Sequence, residues 1–365
     1  DGLTSNNIKV ILDLHGDAME ELDGQVYLQA NQLNITPWLD KILAIDNQNT
    51  HSAINFDGWL TISNGFPTQL QVSLGKNEIS WTHQKNNQFF SVNQGQILTV
   101  FTKQTDNRGL KALNIMSSPL TFITHKNTWQ PMQFQLSKER GIFQGYISKI
   151  AMEGLTDISP LFSNDEKLNQ TLVNIQPVGN INDIFLQVSP NKKALLANVE
   201  GFNSHPYHAI PGVSNLTGQL VMQDNIAHLS LVADKGAFDF AEHFEKPIPY
   251  NNFSTDITLN FAEDSWRVAS NNIEFSSEEL TLSAGITIEK PLNQELRMSL
   301  LASVVNGNTE WARHYFPLTV MTKDLVSYLN KAIVSGNIDQ AQILFNGPLN
   351  KFPFNNHEGV FIVDA

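Results

Sequence analysis

Few residues in this chain are spaced for chemistry. His205-Pro206-Tyr207-His208 sets two imidazoles three positions apart, as a metal site would begin. A tetrahedral centre needs further ligands, however, and Pro206 and Pro211 make the segment a turn. Asp13 with His15, and Asp239 with His243, have the residue types of acid–base pairs; exposed positions on a strand or loop explain them better. There is no Gly-rich phosphate loop, no His-Glu-x-x-His and no Gly-x-Ser-x-Gly. Cysteine is absent, which removes thiolate sites and disulfides. Asn-x-Ser/Thr sequons at Asn34, Asn169, Asn215 and Asn252 follow from a composition rich in these residues. Trp59, Trp81, Trp129, Trp266 and Phe89-Phe90 carry ring faces that can stack on a ligand. Packing between sheet and loop is the simpler role, and no pair of carboxylates accompanies them for glycoside chemistry. The tract Lys246-Pro247-Ile248-Pro249-Tyr250 reads as a rigid turn between strands. No enzyme activity, metal or cofactor is expected.

What remains is the chemistry of apolar surface. From Glu279 to Glu289, the apolar Leu280, Leu282, Ala284, Ile286 and Ile288 alternate with polar residues. Side chains alternate sides along a strand, so the apolar set shares one face. Ile257, Leu259 and Phe261 repeat the pattern, as do Leu296, Met298 and Leu300, Ile54, Phe56, Leu60 and Ile62, and Leu70, Val72 and Leu74. Met132, Phe134 and Leu136 follow it, and so do Ile184, Leu186 and Val188. Strand-like runs fall near 7–15, 25–34, 52–63, 68–74, 77–83, 88–92, 95–103, 110–116, 119–125, 131–137 and 141–152. Others lie near 181–189, 194–202, 216–223, 226–233, 255–262, 265–276, 279–289, 295–305, 340–347 and 358–364. Asn64-Gly65 and Asp224-Asn225 are among the turn signals between them, and the even spacing predicts an antiparallel meander. Thr36-Pro37 opens a short helix to about Ala44, with Thr36 as the cap. Residues 309–315 and 323–335 read as helices, and 156–173 holds one or two short ones. Periodicity weakens near 153–177, which gives a soft subdivision into 1–152 and 153–365.

Composition narrows the partners. Only 16% of residues are charged, and the 36 acidic residues against 23 basic give a net charge of −13. Nucleic acid would be repelled, and an anionic membrane surface offers no steady dock. No apolar run reaches the length of a spanning helix. Both termini read as cut, so the chain is expected to be an internal segment of something longer. From alternation alone a closed β-sandwich or barrel is the simpler expectation, because each sheet then buries one face against another.

The C-terminal third carries a more specific signal. Ala312-Arg313-His314-Tyr315-Phe316-Pro317 is followed by Asp324 to Ile333, Ser335-Gly336-Asn337, Phe345-Asn346-Gly347-Pro348 and Phe352-Pro353-Phe354. With Gln176-Pro177-Val178-Gly179 and Pro211-Gly212, these stretches resemble the YhdP/AsmA-like family of large bacterial envelope proteins, most clearly over 170–365. The resemblance implies a periplasmic segment of an inner-membrane-anchored protein that carries phospholipid toward the outer membrane. It implies a mainly β fold, a long antiparallel sheet curled into an open, apolar-lined groove with a few short helices. The expected lipid-facing residues are Leu259, Phe261, Leu280, Leu282, Ile286, Ile288, Leu296, Met298 and Leu300, with Ile54, Phe56, Leu70 and Val72. Thr258, Thr281, Thr287 and Arg297 would face water. The expected partners are phospholipid acyl chains and the remainder of the same chain, including its membrane anchor. The alternative is a closed β-sandwich serving as a scaffold or adhesion module with no lipid role.

Overall fold

In a computed structural model the described residues are 7–39, 43, 49–83, 86–104, 110–208, 210–308, 336–354 and 356–364. Between 309 and 335 they are Trp311, His314, Tyr315, Leu318, Thr319, Val326, Ser327, Asn330 and Lys331. The protein is mainly β, antiparallel throughout its pairings, with few short helices. It forms two compact units, residues 1–173 with 180–193 and residues 174–179 with 194–365.

The first unit carries a long sheet in the order β1 (Asn7–His15), β2 (Asp23–Leu33), β3 (Thr50–Ser63), β4 (Phe66–Leu74), β7 (Gly95–Lys103), β8 (Leu110–Ser117), β10 (Phe134–Glu139), β11 (Ile142–Ala151) and β12 (Val178–Ser189). A small second sheet joins the start of β3 to β5 (Asn77–His83), β6 (Asn86–Val92) and β9 (Phe122–Thr124). Trp81, Leu120, Trp129, Met132, Met152 and Leu161 are buried in this unit. Phe90 stacks on Phe122 at 5.0 Å, and Phe122 meets Trp129 edge-on at 6.2 Å. Gly154 abuts the Trp129 indole, which lies where a Cβ would project. Trp81 and Trp129 are therefore packing residues. α1 (Thr36–Leu39) begins at Thr36, so Thr36 is not its cap. The Thr36 N–H instead donates to Asn34 Oδ1 at 3.0 Å. α2 (Leu155–Phe162) and α3 (Glu166–Ile175) fill the expected helical region.

The second unit is a meander of β13 (Lys192–Ser204), β14 (Gly212–Gln223), β15 (Ile226–Asp239), β16 (Ile248–Phe261), β17 (Trp266–Ser276), β18 (Thr281–Lys290), β19 (Arg297–Asn308), β20 (Asn337–Pro348) and β21 (Val360–Asp364). Within it each strand pairs with the next, and no pairing of β13 with β21 is present among the described residues. The Lys246–Tyr250 tract is not wholly a turn, because Ile248-Pro249-Tyr250 belongs to β16. Proline is tolerated there because the β16–β17 pairing begins only at Asn252, which leaves Pro249 on a strand edge. The expected helices over 309–315 and 323–335, and α1 toward Ala44, lie largely outside the described residues.

Register shifts interrupt the pairing, and asparagine repairs the gaps. Between Ser270 and Ile273, β17 carries one residue more than its neighbours. Asn272 Oδ1 fills the gap by accepting the Asp256 N–H at 2.9 Å. Near other shifts, Asn203 accepts from Asn215 N–H at 2.9 Å and Asn55 from Gln32 N–H at 2.9 Å. An unpaired backbone group costs about a lost hydrogen bond, so these amides earn their place in a sheet otherwise unsuited to them.

Candidate functional site

Register places the alternating apolar residues of the second unit side by side. Met222, Ala227, Leu259, Val268, Ile288, Met298 and Gly347 form one row across β14 to β20. Ala197, Leu220, Leu229 and Ile257 form another, continued beyond Ser270 by Ile286, Leu300, Phe345 and Phe361. A third joins Ala233, Phe253, Phe275, Leu282, Val304 and Ala341. None of these residues is charged. Cross-strand neighbours at this spacing touch, so the rows make one continuous apolar face.

The two ends of that face differ. Near the third row, Val213, Leu216, Ala233, Tyr250 and Phe275 form a buried cluster, with Tyr250 only 2% exposed. Leu280 and Leu282 pack against it. Ala233 and Phe238 both reach this cluster although they stand five positions apart, an odd offset that puts two residues on opposite faces of a regular strand. Lys235, at φ 55, breaks the alternation between them. At the other end Leu259, Ile288 and Met298 are half-buried, and Phe261 opposite Trp266 is 49% exposed. Leu296 immediately precedes β19, half-buried, and its carbonyl accepts the Leu349 N–H at 3.0 Å. A Thr255–Ser270 hydroxyl pair at 2.8 Å is buried within the face, each group satisfying the other.

The opposite face is largely polar and hydrogen-bonded across strands, although exposed Val221, Val232, Leu301, Leu344 and Ile362 also lie on it. Ser230 donates to Asp256 at 2.6 Å, Ser283 to Glu274 at 2.6 Å and Gln219 to Asn198 at 2.9 Å. Hydrogen bonds from Ser230 and Asn272 hold the Asp256 carboxyl below its ordinary value. Thr258, Thr281, Thr287 and Arg297 pair on this side, with Ala269, Val305, Ser299 and Glu289 respectively.

In the first unit, Phe56 lies between Ala30 and Leu74, and Leu70 between Leu60 and Thr99. Val72 lies between Gly58 and Ile97, and Ile54 pairs with Leu33 beyond a bulge at Gln32. All four candidates are half-buried. They form their own patch with Val26, Leu28, Ile115, Leu136 and Leu186, which alternation in single strands did not connect to them.

The other candidates do not assemble into a centre. Asp239 accepts the Ala241 N–H at 2.8 Å, while His243 Nδ1 meets Thr319 Oγ1 at 2.7 Å. Asp13 and His15 lie 3.6 Å apart, both largely exposed. Tyr207 and Ile210 bridge a turn with His208 at φ 52. Among the described residues no three potential metal ligands cluster.

Comparison with known proteins identifies the family of the chain. The family described as "YhdP protein" matches residues 3–365. The intermembrane phospholipid transporter YhdP of Escherichia coli (strain K12) is 25% identical over 376 residues, covering 98% of this chain and 29% of that protein. No solved structure matches. With a family match over nearly its whole length and the open antiparallel sheets described above, the chain belongs to the YhdP family.

Proposed function

We propose that this chain is a non-enzymatic segment of a phospholipid conduit between the inner and outer membranes. The inner face of each sheet solvates acyl chains, and headgroups stay on the wet side. The observation that carries this reading is the uncharged inner face of the second unit, half-buried along Leu259, Ile288 and Met298, while the charged Asp256, Glu274, Glu289 and Arg297 and the Ser230–Asp256 and Ser283–Glu274 hydrogen bonds lie on its back. Burial in hydrocarbon needs no specific partner atom, so lipid tails can complete such a face. A conduit also needs no catalytic cluster and gains from weak, repeated sites. The similarity to a protein named as an intermembrane phospholipid transporter supports the same reading. The chain spans 29% of that relative, so transport across the periplasm would require the rest of a longer chain, including its membrane anchor. Among the described residues no helix is long and apolar enough to cross a membrane.

A photo-crosslinking residue tests the reading. Placed at Ile288 it should capture phospholipid in the envelope, and at Thr287, on the other face, it should not. Mass spectrometry of lipid extracted from the purified protein identifies the adduct class. Equal capture at the two positions would sink the proposal. The alternative of a closed scaffold has local support in the buried residues around Trp81 and Trp129, and it predicts no capture at either position.

A further inference from the structure

The water-facing side of the first unit's sheet is not uniformly polar. One row runs across all nine strands of the long sheet, linking Tyr27 and Trp59 through Gln71 to Leu98 and Met116, and through Gln135 to Tyr146 and Phe185. Ile11 begins it on β1. The adjacent row is Asp13, Gln25, Thr61, Gln69, Val100, Asn114, Ser137, Gln144 and Gln187, polar but for Val100. On the other side Lys9, Gln29, Asp57, Ser73 and Gln96 are polar as well.

The two ends of the row carry the same constellation. Tyr27 faces Trp59 across the strand pair, ring centres 5.5 Å apart, and its hydroxyl donates to Asp57 at 2.5 Å. Tyr146 faces Phe185 at 4.8 Å, and its hydroxyl donates to Asp183 at 3.1 Å. In both, the carboxylate lies two residues before the second ring. Trp59 is 40% and Phe185 50% exposed. Trp59 thus sits on the open sheet surface, in a cross-strand pair, and not between sheet and loop. A single cross-strand aromatic pair is ordinary sheet reinforcement. Two matching sets, each adding a carboxylate beside exposed ring faces and joined through Gln71, Leu98, Met116 and Gln135, present more than reinforcement requires.

A carboxylate next to an aromatic face is complementary to a guanidinium or ammonium group, which gains from both the charge and the ring quadrupole. Leu98 and Met116 between the sets suit an apolar side chain. From β2 to β11 is six strand spacings, about 29 Å at ~4.8 Å each. We infer that this face docks a protein segment with basic residues at both ends and an apolar middle, held at the Tyr27/Trp59/Asp57 and Tyr146/Phe185/Asp183 sets together. The surface is opposite the apolar inner face, so the inference stands or falls apart from lipid carriage.

The test uses the whole chain and two fluorescent peptides. One has an arginine pair at each end and about nine largely apolar residues between, enough to span the distance when extended. The other has one arginine pair replaced by glutamine. The two-ended peptide should bind at least about tenfold tighter, since the second contact is intramolecular. Asp57→Asn or Asp183→Asn, which keeps an acceptor for the tyrosine, should each abolish that gain. Asp264→Asn, an equal charge change in the second unit, should leave it intact. Melting curves confirm folding, and Trp59→Leu replaces any variant that fails. Equal affinity for the two peptides overturns the inference, as does an equal loss with Asp264→Asn, which would mark bulk charge. Binding of a neutral N-acetylglucosamine oligomer in place of the peptides overturns it too, assigning the row to sugar.

Discussion

A carboxylate moved along one strand separates an open face from a closed one. Leu282 and Ile288 share the inner face of β18, but Leu282 packs on the buried Tyr250–Phe275 cluster whereas Ile288 lies between Val268 and Met298, half-buried. Leu282→Asp forfeits leucine packing, about 2–3 kcal/mol, and desolvates a polar group, about 1–3 kcal/mol more. The sum of about 3–6 kcal/mol approaches the whole stability of an ordinary domain. Ile288→Asp loses part of one side chain's burial, about 1–2 kcal/mol, and its carboxylate can lean into water. At about 2–4 °C per kcal/mol for a unit of this size, melting should fall by about 15 °C for Leu282→Asp and about 5 °C for Ile288→Asp. Calorimetry on both variants, with the lipid that co-purifies, provides the measurement. Ile288→Asp should stay folded and carry less lipid. If both variants lose the same stability, the face is covered at both ends and the sandwich is the right architecture.

Two further outcomes concern polar groups. Asp157, buried in the first unit, accepts from Thr124 at 2.6 Å and Asn127 at 3.1 Å, so Asp157→Asn should cost about 1.5–3 kcal/mol in chemical denaturation; an unchanged midpoint would contradict these bonds. Asp256 has a depressed folded-state pKa, so its contribution to stability is present above the unfolded value and is lost as pH falls through the folded one, below 3.8. Carboxyl chemical shifts should show that low midpoint, and Ser230→Ala should raise it.

Period-two alternation was readable wherever a strand runs unbroken. β18 has no register shift against β19, and its faces follow from the residues between Glu279 and Glu289. β15 looked finished at 233 because Lys235 breaks the alternation, yet the strand continues to Asp239 and delivers Phe238 to the same cluster as Ala233. Pro247 and Pro249 disguised the start of β16 in the same way, since a prolyl strand edge is visible only once its neighbour is known to be absent. The candidate face was therefore legible strand by strand, whereas Phe253, Phe275, Phe345 and Phe361 joined it only through register. The Tyr146–Phe185–Asp183 set spans 37 residues of chain from tyrosine to aspartate, and no local pattern announces it.

The extra residue in β17 also bears on how this sequence can change length. Removing one residue from an unbroken strand turns every later side chain over, so that oily groups meet water and polar ones meet oil. At Asn271-Asn272 the strand already holds a surplus residue between two inward-facing positions, Ser270 and Ile273. Loss of one there leaves Ile273 and Phe275 on their original side and costs only the bend and the amide patch. Relatives should accordingly differ by single residues at the bulges and by any number in the hairpin loops. Within the regular stretches insertions and deletions should come in pairs, an arithmetic imposed by having only one oily side.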